Sequence, residues 1–278
     1  MLNFLIKYRG IFVVLFVLPL SLVFKAYMGT RNRLMFWLNS APETHADKVK
    51  AVQKQVKDWQ KETGGSIPMC TARPGWQAMS LKQGNYKKTH YQVDVSLMDI
   101  LEINTEKQTL RVEPMASMGQ ISALLKPLGW SLAVVPELDA LTVGGLINGF
   151  GIESSSHKYG LFQHICESLE IVTADGEVLT CSKDENSEFY YAIPWSYGAL
   201  GFLVSAEIKI VPSKDYIHLT YIPFKDKQSF IQRFSQESLK PFDEAYDFIE
   251  ALMYSEEECV LMLGNFANKV PAGKTKNA

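Results

Sequence analysis

Residues 10–24 (GIFVVLFVLPLSLVF) are uncharged and lack a polar face, and they lie between Lys7/Arg9 and Lys25/Arg31/Arg33. A bilayer-spanning helix needs about 20 residues. Leu2, Phe4, Leu5 and Ile6 lengthen the run if Lys7 and Arg9 turn their charges toward water. A cleaved leader and a buried core helix are the alternatives. The stretch after Leu20 is a poor cleavage site, and a core helix would show a polar stripe, so residues 1–30 are expected to form a membrane anchor. Basic residues at both ends leave its orientation open.

From Glu43 to Thr63 the apolar positions Ala46, Val49, Val52, Val56 and Trp59 step by three and four, which predicts an amphipathic helix closed by Gly64-Gly65. The period then falls to two. Tyr91, Val93, Val95 and Leu97 alternate with Gln92, Asp94 and Ser96, and residues 109–115 continue as a strand. A short helix over 119–130 has Ile121, Leu124, Leu125 and Leu128 on one face. Residues 169–181 read as a hairpin turning at Ala174-Asp175-Gly176, and 202–210 as a half-buried strand. Phe189, Tyr190 and Tyr191 read as core, Phe248, Ile249, Leu252 and Met253 as a helix, 260–264 as a strand, and 271–278 as a frayed tail. Strands and helices mix without strict alternation, so the fold class is α+β.

Composition narrows the function. With 28 basic and 30 acidic side chains, a net charge of −2 leaves no excess to neutralise a phosphate backbone, so nucleic acid is excluded as a partner. Cys70, Cys166, Cys181 and Cys259 form no CxxC or Cys/His cluster, which argues against a disulfide framework and against a metal site, and suits a reducing compartment. Cys166 and Cys181 read as small buried hydrophobes.

The chemistry concentrates in residues 138–160, where Gly144, Gly145, Gly149 and Gly151 fall among Thr142, Ser154, Ser155 and Ser156. Glycines admit positive φ and close approach of backbone to a ligand. Successive amides joined by hydroxyls suit a pyrophosphate. A Gly-rich packing turn is the bland alternative. No Gly-Lys-Ser/Thr follows, so this is not a Walker loop, and Gly149-Phe150-Gly151 alone is a weak dinucleotide fingerprint.

The order of signals is more specific than the loop. Arg111-Val-Glu-Pro114, the loop at 135–160, LEIVTADGEV (169–178) and GALGFLVSAEIKIV (198–211) together resemble the FAD-binding domain of the vanillyl-alcohol-oxidase/para-cresol-methylhydroxylase family. The strings PMCTARPGW, YKKTH, LMDILEI and GIESSSHKYGLFQH are similar to its sterol-reducing members over residues 10–265.

The resemblance implies a PCMH-type FAD-binding domain of two α/β subdomains over 36–213, after the 1–30 anchor, with 214–278 beginning a truncated cap whose C-terminal half is missing. It implies FAD held by Thr142, Val143, Gly144, Gly145, Leu146, Ile147, Asn148, Gly149, Phe150, Gly151, Ile152, Glu153 and Ser154. Many relatives carry a flavin-linking histidine in the first loop. Residues 71–76 contain none, so the FAD is expected to be non-covalent. Arg73 is a candidate pyrophosphate contact and Trp76 a cavity wall, with a surface Arg and a core Trp as the alternatives. His157 and Lys158 could stabilise charge on reduced flavin, or cap the next turn. The implied activity is NADPH-driven reduction of a sterol side-chain double bond (desmosterol to cholesterol type), on the endoplasmic-reticulum membrane, single-pass, with the flavin domain cytosolic. A catalytically incompetent, membrane-tethered FAD-binding protein is the alternative. Under it, Phe230, Ile231, Phe234, Phe248 and Ile249 would lack partners.

Overall fold

The computed structural model describes residues 8–73, 84–271 and 273. The chain falls into two compact units, Met1–Ala41 and Pro42–Ala278.

In the first unit one helix, Tyr8–Leu38, is long and apolar enough to cross a membrane, with a mean hydropathy of 2.3. At 1.5 Å per residue it rises about 45 Å, more than a hydrocarbon core. Its α-helical part, α1 (Leu18–Asn39), follows a π-helical turn, Val13–Val17. Pro19 has no N–H to give this helix, and the wider turn just before it, closed by Leu18 N–H on the Val13 carbonyl, is where the ladder adjusts. The apolar side chains are bare: Leu20, Leu22 and Trp37 are 70%, 67% and 76% exposed. The helix runs through Gly29 and past residue 30, because Arg31 and Arg33 are good helix formers and no Gly or Pro follows between residues 30 and 39.

The second unit begins with α2 (His45–Thr63), which buries Val49, Val52, Val56 and Trp59 and ends on a left-handed Gly64. Ala46, in its first turn, is exposed. β1 (Met69–Thr71) and β2 (Tyr91–Val93) pair in parallel. The main sheet runs β3 (Ile100–Asn104), β4 (Thr109–Val112), β8 (Phe202–Pro212), β6 (Cys166–Val172), β7 (Val178–Ser182), with β5 (Trp130–Leu132) also on β8. β8 is its central strand, and both of its faces are used. Leu203 joins the large core under α3 (Met118–Leu125), while Val204 joins the smaller one under α2. All four cysteines are free and buried.

A third sheet orders β10 (Phe248–Met253), β11 (Cys259–Ala267) and β9 (Tyr216–Phe224), with α7 (Lys227–Ser238) packed on it. Residues 248–253 are thus a strand and not the expected helix. Six residues make under two helical turns, and six antiparallel pairs to β11, from Phe248↔Gly264 to Met253↔Cys259, outweigh so weak a helix. Phe230 and Ile249 are covered, together with Cys259, Leu261 and Leu263, and Phe248 meets the Phe266 ring edge-on. Only Ile231 and Phe234 of the expected unpartnered set are exposed. Leu124, Leu128, Phe189 and Tyr191 also face outward, since α3 presents Met118, Ile121 and Leu125 to the core and α6 (Ser187–Ala192) buries Tyr190 alone.

A buried charge cluster fixes the strap that carries the site. Glu113 and Asp99 are 0% and 1% exposed. Lys48 Nζ lies 2.5 Å from Asp99 Oδ2 and 3.4 Å from Glu113 Oε2, and His45 Nδ1 lies 2.8 Å from Glu113 Oε1. Asp99 N–H donates to Glu113 Oε2 at 2.7 Å. Pairing of this kind is what lets two carboxylates stay buried, and it ties α2 to residues 113–117.

Candidate cofactor site

Strap 113–117 is the seat of the Gly-rich loop. Ser117 bridges Thr142, and the short helix α4 (Val143–Asn148) starts there with Thr142 as its N-cap. Val143 N–H donates to Ala116 O (3.1 Å), Gly144 N–H to Pro114 O (2.8 Å) and Gly145 N–H to Thr142 Oγ1 (3.4 Å). The first amides of α4 are therefore spent within the protein. Val143, Leu146 and Ile147 point into the core. Of the expected residues 142–154, these serve the scaffold by their side chains, while Phe150 and Ile152, 61% and 64% exposed, reach out from the return limb.

The glycines act by close approach and not by positive φ. None of Gly144, Gly145, Gly149 and Gly151 is left-handed. A Cβ on Gly144 would sit 2.9 Å from Pro114 Cβ, and one on Gly149 2.8 Å from the Gly145 carbonyl oxygen. On Gly151 it would meet Leu146 and Phe162 at 3.0 and 3.2 Å, and on Gly145 only Thr142 Oγ1 at 3.2 Å.

Left-handed backbone occurs next door, just ahead of the 198–211 segment that the resemblance sets beside the cradle. Trp195 (φ 64°) and Tyr197 (φ 53°) donate their N–H groups to the Ile147 and Asn148 carbonyls, at 3.3 and 3.1 Å. Such strain in bulky residues persists only when the surroundings impose it. Here the C-terminal end of α4 imposes it, and Tyr197 is left 84% exposed beside Gly149-Phe150-Gly151. The run Pro194-Trp-Ser-Tyr-Gly198 carried a turn signal that could have pointed to it.

Arg73 comes to the same loop. Its Nη1 lies 3.4 Å from Thr142 Oγ1, and its Nε is buried without a hydrogen-bond partner. Burial lowers the guanidinium pKa. Lys87, bonded to Thr71 O, has its own pKa lowered by burial and by Arg73. Among the described residues no carboxylate pairs with either cation. Two half-desolvated cations and an orphaned N–H beside a glycine loop fit a bound diphosphate. Trp76 lies outside the described residues.

His157 and Lys158 hydrogen-bond to the segment leading into β10. His157 Nε2 is 2.8 Å from Tyr246 O, Lys158 Nζ is 3.1 Å from Asp247 Oδ1, and Ile249 N–H donates to Ser154 O at 2.7 Å. Lys158 Nζ also lies 4.7 Å from the Phe242 ring centroid.

Residues 50–182 match the model of an FAD binding domain. The chain thus combines an apolar N-terminal helix with mixed helix and sheet, part of which is similar to FAD binding domains. It is 52% identical over 270 residues to Delta(24)-sterol reductase of Mus musculus, covering 97% of this chain and 52% of that one. The Arabidopsis thaliana Delta(24)-sterol reductase is 44% identical over 285 residues, covering 99% and 50%. The Caenorhabditis elegans homolog is 42% identical over 271 residues, covering 94% and 51%. The chain is similar to these Delta(24)-sterol reductases and spans about half the length of those it matches.

Proposed function

We propose that this protein is an FAD-dependent oxidoreductase that reduces the side-chain double bond of sterols, with NADPH as electron donor. The observation that carries the cofactor is the partnerless Arg73 Nε beside Thr142, at the entrance of the Gly-rich loop. The activity for which the similar Delta(24)-sterol reductases are named carries the substrate. FAD, when bound, supplies hydride transfer between the nicotinamide and the alkene.

The protein's own residues bind, orient and shield. Arg73 and Lys87 neutralise the diphosphate. Residues 142–154 form the wall on which the cofactor lies, with Gly144 and Gly149 keeping the loop tight. Trp195, Tyr197 and Phe150 exclude water from the cofactor edge. In this reading residues 36–213 are the flavin domain and 214–278 begin the substrate side. The helix Tyr8–Leu38 is a single-pass anchor in the endoplasmic-reticulum membrane with the flavin domain cytosolic, which suits a substrate dissolved in the bilayer and four reduced cysteines.

The test is anaerobic conversion of desmosterol by the purified protein with FAD and NADPH. Cholesterol formation supports the reading. Flavin binding without sterol turnover supports instead the FAD-binding, catalytically incompetent alternative, and failure to bind FAD sinks both.

A further inference from the structure

Beyond the cradle, the return limb of the Gly-rich loop opens on a second feature. A cleft of about 660 Å³ lies between residues 152–164 and the α7/β10 elements. Ile152, Leu161 and Phe234 give it apolar walls, and Glu137, Glu153 and Glu250 bring three carboxyl groups to it. Apolar walls with a few convergent polar groups are what a hydrocarbon substrate with one reacting centre requires. Glu153 is the carboxyl carried by the Gly-rich loop itself. Its backbone is pinned by Glu153 N–H on Ser156 Oγ at 2.9 Å, and next to it Ser155 Oγ donates to Ala133 O at 2.8 Å.

We infer that the Glu153 carboxyl is the proton donor for alkene reduction, a catalytic residue facing this cleft. The inference rests on the sterol-reducing reading above. Reduction of an isolated alkene forms two C–H bonds. One carbon receives a hydride from the reduced flavin of that reading. The neighbouring carbon bonds to the Glu153 proton using the alkene π electrons, while the O–H pair stays on the carboxylate. Solvent entering the open cleft returns the proton.

The surroundings push the Glu153 carboxyl toward its protonated form. Burial raises the Glu153 pKa first, and the Glu137 and Glu250 charges add to it, against a hydrogen bond from the Glu137 backbone. The basic side chains nearby are otherwise engaged. Lys158 is held by Asp247, His157 lies between the Ser154 and Tyr246 carbonyls, and His164 Nδ1 accepts from Leu161 N–H. A neutral carboxyl here acts as a general acid, a role that contributes on the order of 10²–10⁴-fold in rate.

The experiment has two arms on the full chain, the first run with and without added FAD and the second on FAD-loaded protein. In the first, carboxyl-¹³C-glutamate NMR follows the titration in wild type, E153Q and E137Q. The expected result is one signal titrating above the ordinary carboxylate range, absent in E153Q and moved down in E137Q. In the second, protein pre-reduced with NADPH meets desmosterol in a single turnover. E153Q is expected to slow product formation about 100-fold or more, E153D to restore part of it, and the preceding flavin reduction by NADPH to keep its rate. A Glu153 signal titrating with ordinary carboxylates, or an E153Q turnover equal to wild type, overturns the assignment. Failure of wild type to take up FAD or to form any product overturns the underlying reading instead, and the titration arm still decides the state of Glu153.

Discussion

The imidazole of His157 joins the Gly-rich loop to the third sheet: its Nε2 lies 2.8 Å from the Tyr246 carbonyl oxygen and its Nδ1 3.2 Å from the Ser154 carbonyl oxygen. With two carbonyl acceptors, both bonds form together only when both ring nitrogens carry hydrogen. The residue thus clasps the segment leading into β10 onto the loop. His157→Ala is expected to cost on the order of 1–3 kcal/mol and to raise amide exchange in residues 242–253 selectively. Uniform exchange across the second unit would show that the clasp is not local.

The loop glycines are expected to rank by what their Cβ would meet. Gly149→Val should weaken FAD binding most and Gly144→Ala next, because each drives a carbon against backbone or proline at under 3.0 Å. Gly145→Ala meets only the Thr142 hydroxyl at 3.2 Å and should be the mildest of the three. Overpacking of this sort costs about 1–3 kcal/mol. Flavin titration of the three variants checks the order, and equal affinities would contradict it.

The flavin itself should be non-covalent. Residues 71–76 offer no histidine to link it, so acid precipitation should release all the yellow colour into the supernatant. Colour retained on the pellet would contradict this.

Much of this was legible in the sequence because the signals were periodic or dense. The α2 stripe fell on Val49, Val52, Val56 and Trp59, and the 169–181 hairpin turned where Asp175-Gly176 predicted. What failed was decided by partners distant in sequence. Residues 248–253 became a strand through β11, and Glu113, an ordinary acidic residue in the chain, is fully buried because α2 delivers His45 and Lys48 to it. The candidate loop was found by glycine density, yet its conformation was misjudged. Density does not distinguish positive φ from close packing, and the left-handed residues proved to be Trp195 and Tyr197.

Glu170 provides a pH test of the main sheet. Burial would raise its carboxyl, but the Ser205 hydroxyl and Arg111, 2.8 Å away, overcome this and hold it below the usual range. A lowered folded pKa adds stability above the unfolded value, about 4.3, that disappears as pH falls through the folded value. Arg111→Met should therefore destabilise most at pH 7, and the gap to wild type should narrow below about pH 4. Urea unfolding at both pH values checks it, and a gap that widens in acid would contradict the sign.

The helix Tyr8–Leu38 should govern membrane attachment. Deleting residues 1–38 should move the protein to the soluble fraction, while alkaline carbonate should leave the intact chain in the pellet. Clean extraction by carbonate would contradict a spanning anchor.

The central claim is that the Gly-rich loop with Arg73 holds a redox-active FAD that serves a sterol. Its most direct test is the anaerobic absorbance spectrum of the FAD-loaded protein, recorded alone, after NADPH, and again after desmosterol. The account predicts a bound oxidised-flavin spectrum that NADPH bleaches and desmosterol restores, with cholesterol formed in proportion to the restored flavin. A protein that acquires no flavin spectrum, or whose bleached flavin is unchanged by desmosterol, would contradict it.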